Sequence, residues 1–169
     1  FPTRRSSDLF LRAGALTVDG VVAWTGSAFA TLGTPSFGGL AFGLGTFGAD
    51  IVAGDSYGNI KRWNGTFWSV LGITNGGFAG TFVEQGGALI AGGAFTAIGG
   101  TPVANLARYN GTWSSLASGQ GVPGTVECVH DWNGTEVIGG RFASAGAAAG
   151  VIAAWNGTSW QPQIGRAHV

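Results

Sequence analysis

Arg62-Trp63-Asn64-Gly65-Thr66-Phe67-Trp68 returns as Arg108-Tyr109-Asn110-Gly111-Thr112-Trp113, and again as Ala154-Trp155-Asn156-Gly157-Thr158-Ser159-Trp160. A looser copy, Ala23-Trp24-Thr25-Gly26-Ser27-Ala28-Phe29, comes first. The leading aromatic residues at 24, 63, 109 and 155 are separated by 39, 46 and 46 positions. Asn-Gly between two aromatic or β-branched runs is a hairpin signal, because these residues tolerate the positive φ that a tight turn demands. The four copies therefore read as four hairpins.

A second motif precedes them. Leu89-Ile90-Ala91-Gly92-Gly93-Ala94-Phe95 matches Glu136-Val137-Ile138-Gly139-Gly140-Arg141-Phe142 at an offset of 47, and Ile51–Asp55 and Phe10–Gly14 are looser versions. Two motifs in one order at one period predict a repeat of four short strands. In the last copy these are Thr125–Trp132, Thr135–Gly140, Val151–Trp155 and Thr158–Gln161. Asn133-Gly134 and Asn156-Gly157 are expected to make two-residue type I′ turns, with Gly86-Gly87 in the equivalent place before Ala88. The Gly pairs are expected where neighbouring backbones approach closely.

Four antiparallel strands in each forty-odd residues is the signature of a propeller blade. The expected fold is thus all-β: an incomplete β-propeller of about three and a half blades, at 10–33 (half), 39–72, 78–117 and 124–162. Blades stack face to face, which accounts for inner strands that read Leu-Ile and Val-Ile without polar alternation.

Composition agrees. Of 169 residues, 33 are Gly and 9% are charged, against roughly 25% charged in an average domain. The 45% hydrophobic content is too high for a disordered tract. The formal net charge is zero, with no Lys/Arg cluster beyond the first residues, so no nucleic-acid footprint is expected. A single Cys128 permits no internal disulfide.

The two ends stand apart. Phe1–Leu9 resembles the in-frame translation of a short-read sequencing adapter, and Ile164–Val169 resembles the opposite adapter. The chain also contains no Met. We therefore expect 1–9 and 164–169 to be non-native, Gln163 to be suspect, and 10–163 to be an internal fragment.

At the quoted residues the chain resembles kelch-like and galactose-oxidase-like propellers, and most of all secreted bacterial repeat proteins with a Gly-Gly-x-Phe strand before an aromatic-Asn-Gly-Thr-x-Trp hairpin. The resemblance implies a fold far more than an activity. The residues that carry it are Trp24, Trp63, Asn64, Gly65, Trp68, Gly92, Gly93, Phe95, Tyr109, Asn110, Gly111, Trp113, Asn133, Gly134, Gly139, Gly140, Phe142, Trp155, Asn156, Gly157 and Trp160. A copper-radical site finds no match, since Tyr57 and Tyr109 are the only tyrosines and no Tyr–Cys–His set exists.

Other motifs favour structural readings. Gly43–Gly48 and Gly119–Gly124 fit GxGxxG, but neither opens a helix that would meet a phosphate. The Asn-Gly-Thr sequons at Asn64, Asn110, Asn133 and Asn156 fall at hairpin turns, where Asn serves the backbone. Glu127, Cys128, His130 and Asp131 lie together, yet alternation puts Cys128 and His130 on one face and the two acids on the other. Asp19, Asp50 and Asp55 read as turn residues, not calcium ligands. The uncharged stretches Phe29–Ala49 and Gly86–Ala107 read as strands and not as membrane spans. Trp24, Trp63, Trp68, Trp113, Trp155 and Trp160 read as packing between blades before they read as a sugar-stacking platform.

The expectation is a non-enzymatic extracellular or cell-envelope propeller, without cofactor or metal, that binds a carbohydrate or a surface protein. The loops Thr96–Pro102 and Ala143–Gly150 are expected to carry the binding. The alternatives are an accessory propeller of a secreted carbohydrate-active or oxidative enzyme, and a passive spacer in a surface protein. An open arc is also expected to fold poorly by itself.

Overall fold

A computed structural model describes residues 12–18, 20–33, 37, 40–116 and 121–162. The adapter-like ends, Gln163, Phe10, Asp19 and Gly119 lie outside the described residues. Within them the chain is all-β, with no helix. The strands are β1 (Arg12–Ala13), β2 (Leu16–Thr17), β3 (Val22–Trp24), β4 (Phe29–Thr31), β5 (Ala41–Phe47), β6 (Asp50–Asp55), β7 (Asn59–Trp63), β8 (Trp68–Asn75), β9 (Phe78–Gln85) and β10 (Ala88–Ala94). They continue as β11 (Ala97–Ile98), β12 (Thr101–Pro102), β13 (Leu106–Tyr109), β14 (Trp113–Ser115), β15 (Gly124–Trp132), β16 (Thr135–Phe142), β17 (Ser144–Ala145), β18 (Ala148–Ala149), β19 (Ile152–Trp155) and β20 (Trp160–Pro162).

Three antiparallel meanders organise them. β5-β6-β7-β8 forms one, β9-β10-β13-β14 the next and β15-β16-β19-β20 the last. Among the described residues no sheet closes on itself. The Leu89–Phe95 and Val137–Phe142 segments fall in different sheets, each as its second strand. The short hairpin β11–β12 leaves its own meander and adds to the preceding sheet, where Ala97 pairs with Asn75 and Ile98 with Thr74. Residues 12–17 form the same kind of hairpin, β1–β2. Gly14 there has φ 62°, like Gly99 (55°) and Gly146 (55°) at the tips of β11–β12 and β17–β18. Of the stretch Phe10–Gly14 read as a copy of the Gly-Gly strand, the described residues Arg12–Gly14 fall in this hairpin instead.

The sheets pack face to face. β9 lies against β5 and β6, and β15 against β9 and β10. One core, with Val52, Ile60, Leu89, Ala91, Ile98 and Trp113, fills the space between the first two meanders. A second, with Ile90, Leu106, Val126, Ile138, Phe142 and Trp160, fills the space between the second and third. Leu89 and Ile90 point to opposite cores, so β10 is apolar on both faces. This explains its lack of alternation.

The recurring aromatics stand in one register. Trp24 pairs with Phe29, Trp63 with Trp68, Tyr109 with Trp113 and Trp155 with Trp160, at ring separations of 5.0, 5.6, 5.0 and 5.3 Å. The second ring of each later pair reaches the preceding unit. Trp68 Nε1 donates to the Leu32 carbonyl at 2.6 Å and Trp113 Nε1 to that of Leu71 at 3.0 Å. Trp160 is as buried, but its Nε1 has no partner among the described residues. Trp113→Phe should therefore cost about 1–2 kcal/mol through an abandoned carbonyl, and Trp160→Phe distinctly less. Urea unfolding midpoints at unchanged slope measure the difference; equal losses would refute the cross-sheet role of the indole N–H.

Candidate functional site

The same irregularity occurs in the first strand of all three meanders. In β5, Ala41 pairs with Asp55 and Gly43 with Gly54, so Phe42 is passed over. In β9, Thr81 pairs with Gly92 and Ala79 with Gly93, so Gly80 is passed over. In β15, Val126 pairs with Gly140 and Cys128 with Gly139, so Glu127 is passed over. Each is a β-bulge, which twists the strand and re-aims the extra side chain.

The Gly-Gly motif is the partner of this bulge. A Cβ on Gly93 would overlap the Phe78 carbonyl oxygen, and one on Gly140 the Thr125 carbonyl oxygen. Gly92 instead faces the neighbouring sheet, where a Cβ would meet Val126 and Val129 side-chain carbons at 2.8 Å. A hydrogen bond from the Val129 amide to Thr81 Oγ1 (3.1 Å) joins the two first strands at this level.

The three bulged residues converge. Phe42, Gly80 and Glu127, with Phe78, Thr125, Val126 and Arg141, line an open cleft of about 220 Å³. Phe42 and Phe78 stack at 4.5 Å with their planes inclined by 41°, and Phe42 remains 48% exposed. Across the cleft, Arg141 Nε meets Glu127 Oε1 at 2.7 Å. Both side chains face solvent, so the pair adds little stability. It does hold a donor-only group and an acceptor-only group side by side.

None of the recurring residues lines this cleft. Trp63, Trp68, Tyr109, Trp113, Trp155 and Trp160 form the paired rings, while Phe95 and Phe142 are buried in the cores. Trp24 is 59% exposed beside Phe29. Asn133 and Gly134 (φ 52° and 80°) make the expected two-residue turn, as do Gly86 and Gly87 (55° and 72°). Asn156-Gly157 does not. Trp155 pairs with Trp160, leaving a four-residue loop in which Asn156 Oδ1 accepts from the Thr158 and Ser159 amides. Asn64 does the same for Thr66 and Phe67. Here the Asn side chain, not its φ, makes the turn. Gly65, Gly111 and Gly157 supply the positive φ instead, and Asn110 sits exposed in the shorter loop.

The loops Thr96–Pro102 and Ala143–Gly150 each form a short hairpin, β11–β12 and β17–β18. Ile98, Ala145 and Ala148 are buried, while Thr96, Pro102, Ala143, Ala149, Gly150 and the hairpin tips are exposed. The buried residues anchor each hairpin between sheets, and the exposed ones do not line the cleft described above.

The remaining candidates have local duties. Asp55 is buried, its carboxylate accepting from the Tyr57 and Asn59 amides and from Asn59 Nδ2. Asp50 pairs with Arg62. Asp131 accepts from the Gly134 amide, while Cys128 and His130 are exposed. The bulge takes Glu127 out of the simple alternation that grouped it with Asp131. Among the described residues no group of three or more His, Cys, Asp or Glu side chains is placed to hold a metal. Within them, too, no helix is long and apolar enough to cross a membrane.

One acid is out of character. Glu136 occupies the place of Leu89 in the preceding unit, is 2% exposed, and its Oε2 has no partner among the described residues. Burial pushes its pKa up to about 7, with Arg108 opposing the rise and Asp131 adding to it. It lies away from the cleft lining. No family model, curated protein or solved structure matches the chain.

Proposed function

We propose that the chain is an arc of a kelch-like β-propeller whose role is non-catalytic recognition of a glycan, a surface or another protein, outside the cell or in its envelope. The observation that carries this reading is the convergence of Phe42, Gly80 and Glu127 on one cleft. Equivalent bulges in successive sheets bring one variable position each to a common mouth. In a ring of such sheets the bulges would encircle the axis, with a rigid scaffold presenting chemistry that differs from unit to unit. The lining joins an exposed aromatic ring to a paired donor and acceptor, the mixture that fixes orientation in small binding sites.

The test is an array of immobilised glycans, peptides and surface proteins probed with the labelled 169-residue chain and with a Phe42→Ala/Arg141→Ala double variant. Both substituted side chains are exposed, so the variant should fold as the parent does. Retention of the parent on some class of feature, and loss of that signal in the variant, is the expected result. Equal behaviour of the two across the array overturns the reading.

A further inference from the structure

We propose that the cleft is a subsite for one neutral pyranose ring of a saccharide, seated over Gly80 with its C–H face on Phe42 and adjacent hydroxyls on the Arg141–Glu127 pair. This rests on the recognition reading and names its ligand class. The three bulged positions divide the work. The middle one has no side chain, so the floor is open between an aromatic wall and a polar wall. A Cβ on Gly80 would reach the Phe78 ring at 3.3 Å, and any longer side chain must rise into the same space.

Size selects a single ring. About 220 Å³ falls short of the roughly 300–1,000 Å³ typical of drug-sized ligands, and the open mouth lets a chain continue outward. Chemistry selects the class. Glu127 can only accept and Arg141 only donate, and their Nε–Oε1 contact of 2.7 Å leaves Oε2 and the Nη hydrogens for a ligand. Adjacent hydroxyls can donate to the one and accept from the other, and each such bond is charge-assisted. The negative face of Phe42 suits the weakly positive C–H edges of a sugar ring. The polar wall carries no net charge, so a carboxylated sugar would have to approach Glu127 or displace it from Arg141. A side chain such as Phe would use the aromatic wall and leave the diol partners unmet.

The test is a titration of the isotope-labelled chain followed at the Arg141 Nε–H, Phe42 and Gly80 signals. The probes are the methyl glycosides of glucose, mannose and galactose, with sodium glucuronate and N-acetyl-phenylalanine amide as comparators. At least one neutral glycoside should shift all three signals saturably while the comparators leave them in place. Phe42→Ala should weaken that glycoside roughly tenfold or more. Gly80→Leu should abolish the shifts while the Val129 amide, bonded to Thr81 next door, reports an intact strand. Glu127→Gln should admit glucuronate. Silence of all three glycosides overturns the assignment. So does a response to glucuronate or to the phenylalanine amide alone, although recognition at the cleft then survives. Recognition itself falls only if the array also fails to separate the chain from its double variant.

Discussion

Gly54→Ala is expected to unfold the protein or to cost it more than about 3 kcal/mol, while Gly48→Ala should cost only about 1–2. Gly54 lies in β6 but faces the neighbouring sheet, where its Cβ would overlap the Ala79 carbonyl oxygen and lie 3.1 Å from the Phe82 ring. Gly43 in β5 stands in the same relation to the Gly80 carbonyl. Sheets stacked face to face ordinarily lie about 10 Å apart, with side chains between them. At the first strands that spacing collapses until backbone meets backbone. A methyl group there cannot be absorbed by a rotamer change, because its neighbour is main chain. Gly48 has φ +61° but nothing within 4 Å, so an added methyl brings only left-handed strain. Urea unfolding followed by Trp fluorescence distinguishes the two. A Gly54→Ala protein within about 1 kcal/mol of the parent would mean that the sheets do not meet this closely.

Glu136→Leu is expected to stabilise the fold by roughly 3 kcal/mol at pH 8 and to remove most of a pH dependence that the parent shows between about pH 4.5 and 7. The sign follows from which state holds the proton. Below 4.5 the side chain is neutral folded or unfolded, and its ionisation contributes nothing. Between 4.5 and about 7 the unfolded chain releases the proton while the folded one keeps it, so stability falls as pH rises. Above 7 the full cost of a buried carboxylate is present. Arg108 softens that cost and Asp131, itself hydrogen-bonded to Gln85 and the Gly134 amide, adds to it. Leu restores the apolar residue found at Leu89 and removes the orphaned oxygen. Glu136→Gln is the comparison: it abolishes the titration but keeps a buried polar end, so it should recover less than Leu. A parent whose unfolding midpoint is flat from pH 4 to 8 would contradict this account.

The sequence made some of this visible and hid the rest for reasons that particular residues show. Asn133-Gly134 and Gly86-Gly87 were legible because two consecutive positive φ angles leave few residue choices. Asn156-Gly157 carries the same dipeptide, yet Trp155 and Trp160 fix a longer loop by their pairing. Turn type there is decided by the flanking rings. Gly92-Gly93 and Gly139-Gly140 announced a close approach, but the strand approaching them was silent. A bulge is a mismatch between two strands, and neither strand spells it alone. Phe42, Gly80 and Glu127 share a position and nothing else, so a search for recurring residues passes over them. Glu127 drew attention only through its neighbours Cys128 and His130, which do not share its cleft. Arg12–Gly14 misled because Ala13-Gly14 suits either a strand end or a hairpin tip. Loops rich in Ala and Gly advertise neither burial nor exposure: Ile98, Ala145 and Ala148 are buried while Gly99, Gly100, Gly146 and Ala147 are exposed.

The hairpin β11–β12 completes a sheet that began more than twenty residues earlier. Thr96 and Gly99 donate their amides to the Asn75 and Ile73 carbonyls, and Thr101 Oγ1 donates back to the Trp113 carbonyl. The modules of this protein are consequently dovetailed, and their genetic and spatial borders do not coincide. A chimera cut at Gly76-Gly77, the obvious seam, would deprive the upstream module of its last two strands and graft them onto a stranger. A cut after Pro102 would keep that hairpin with its sheet but part β9 and β10 from β13 and β14, so no single crossover between Asn75 and Leu106 leaves both sheets whole.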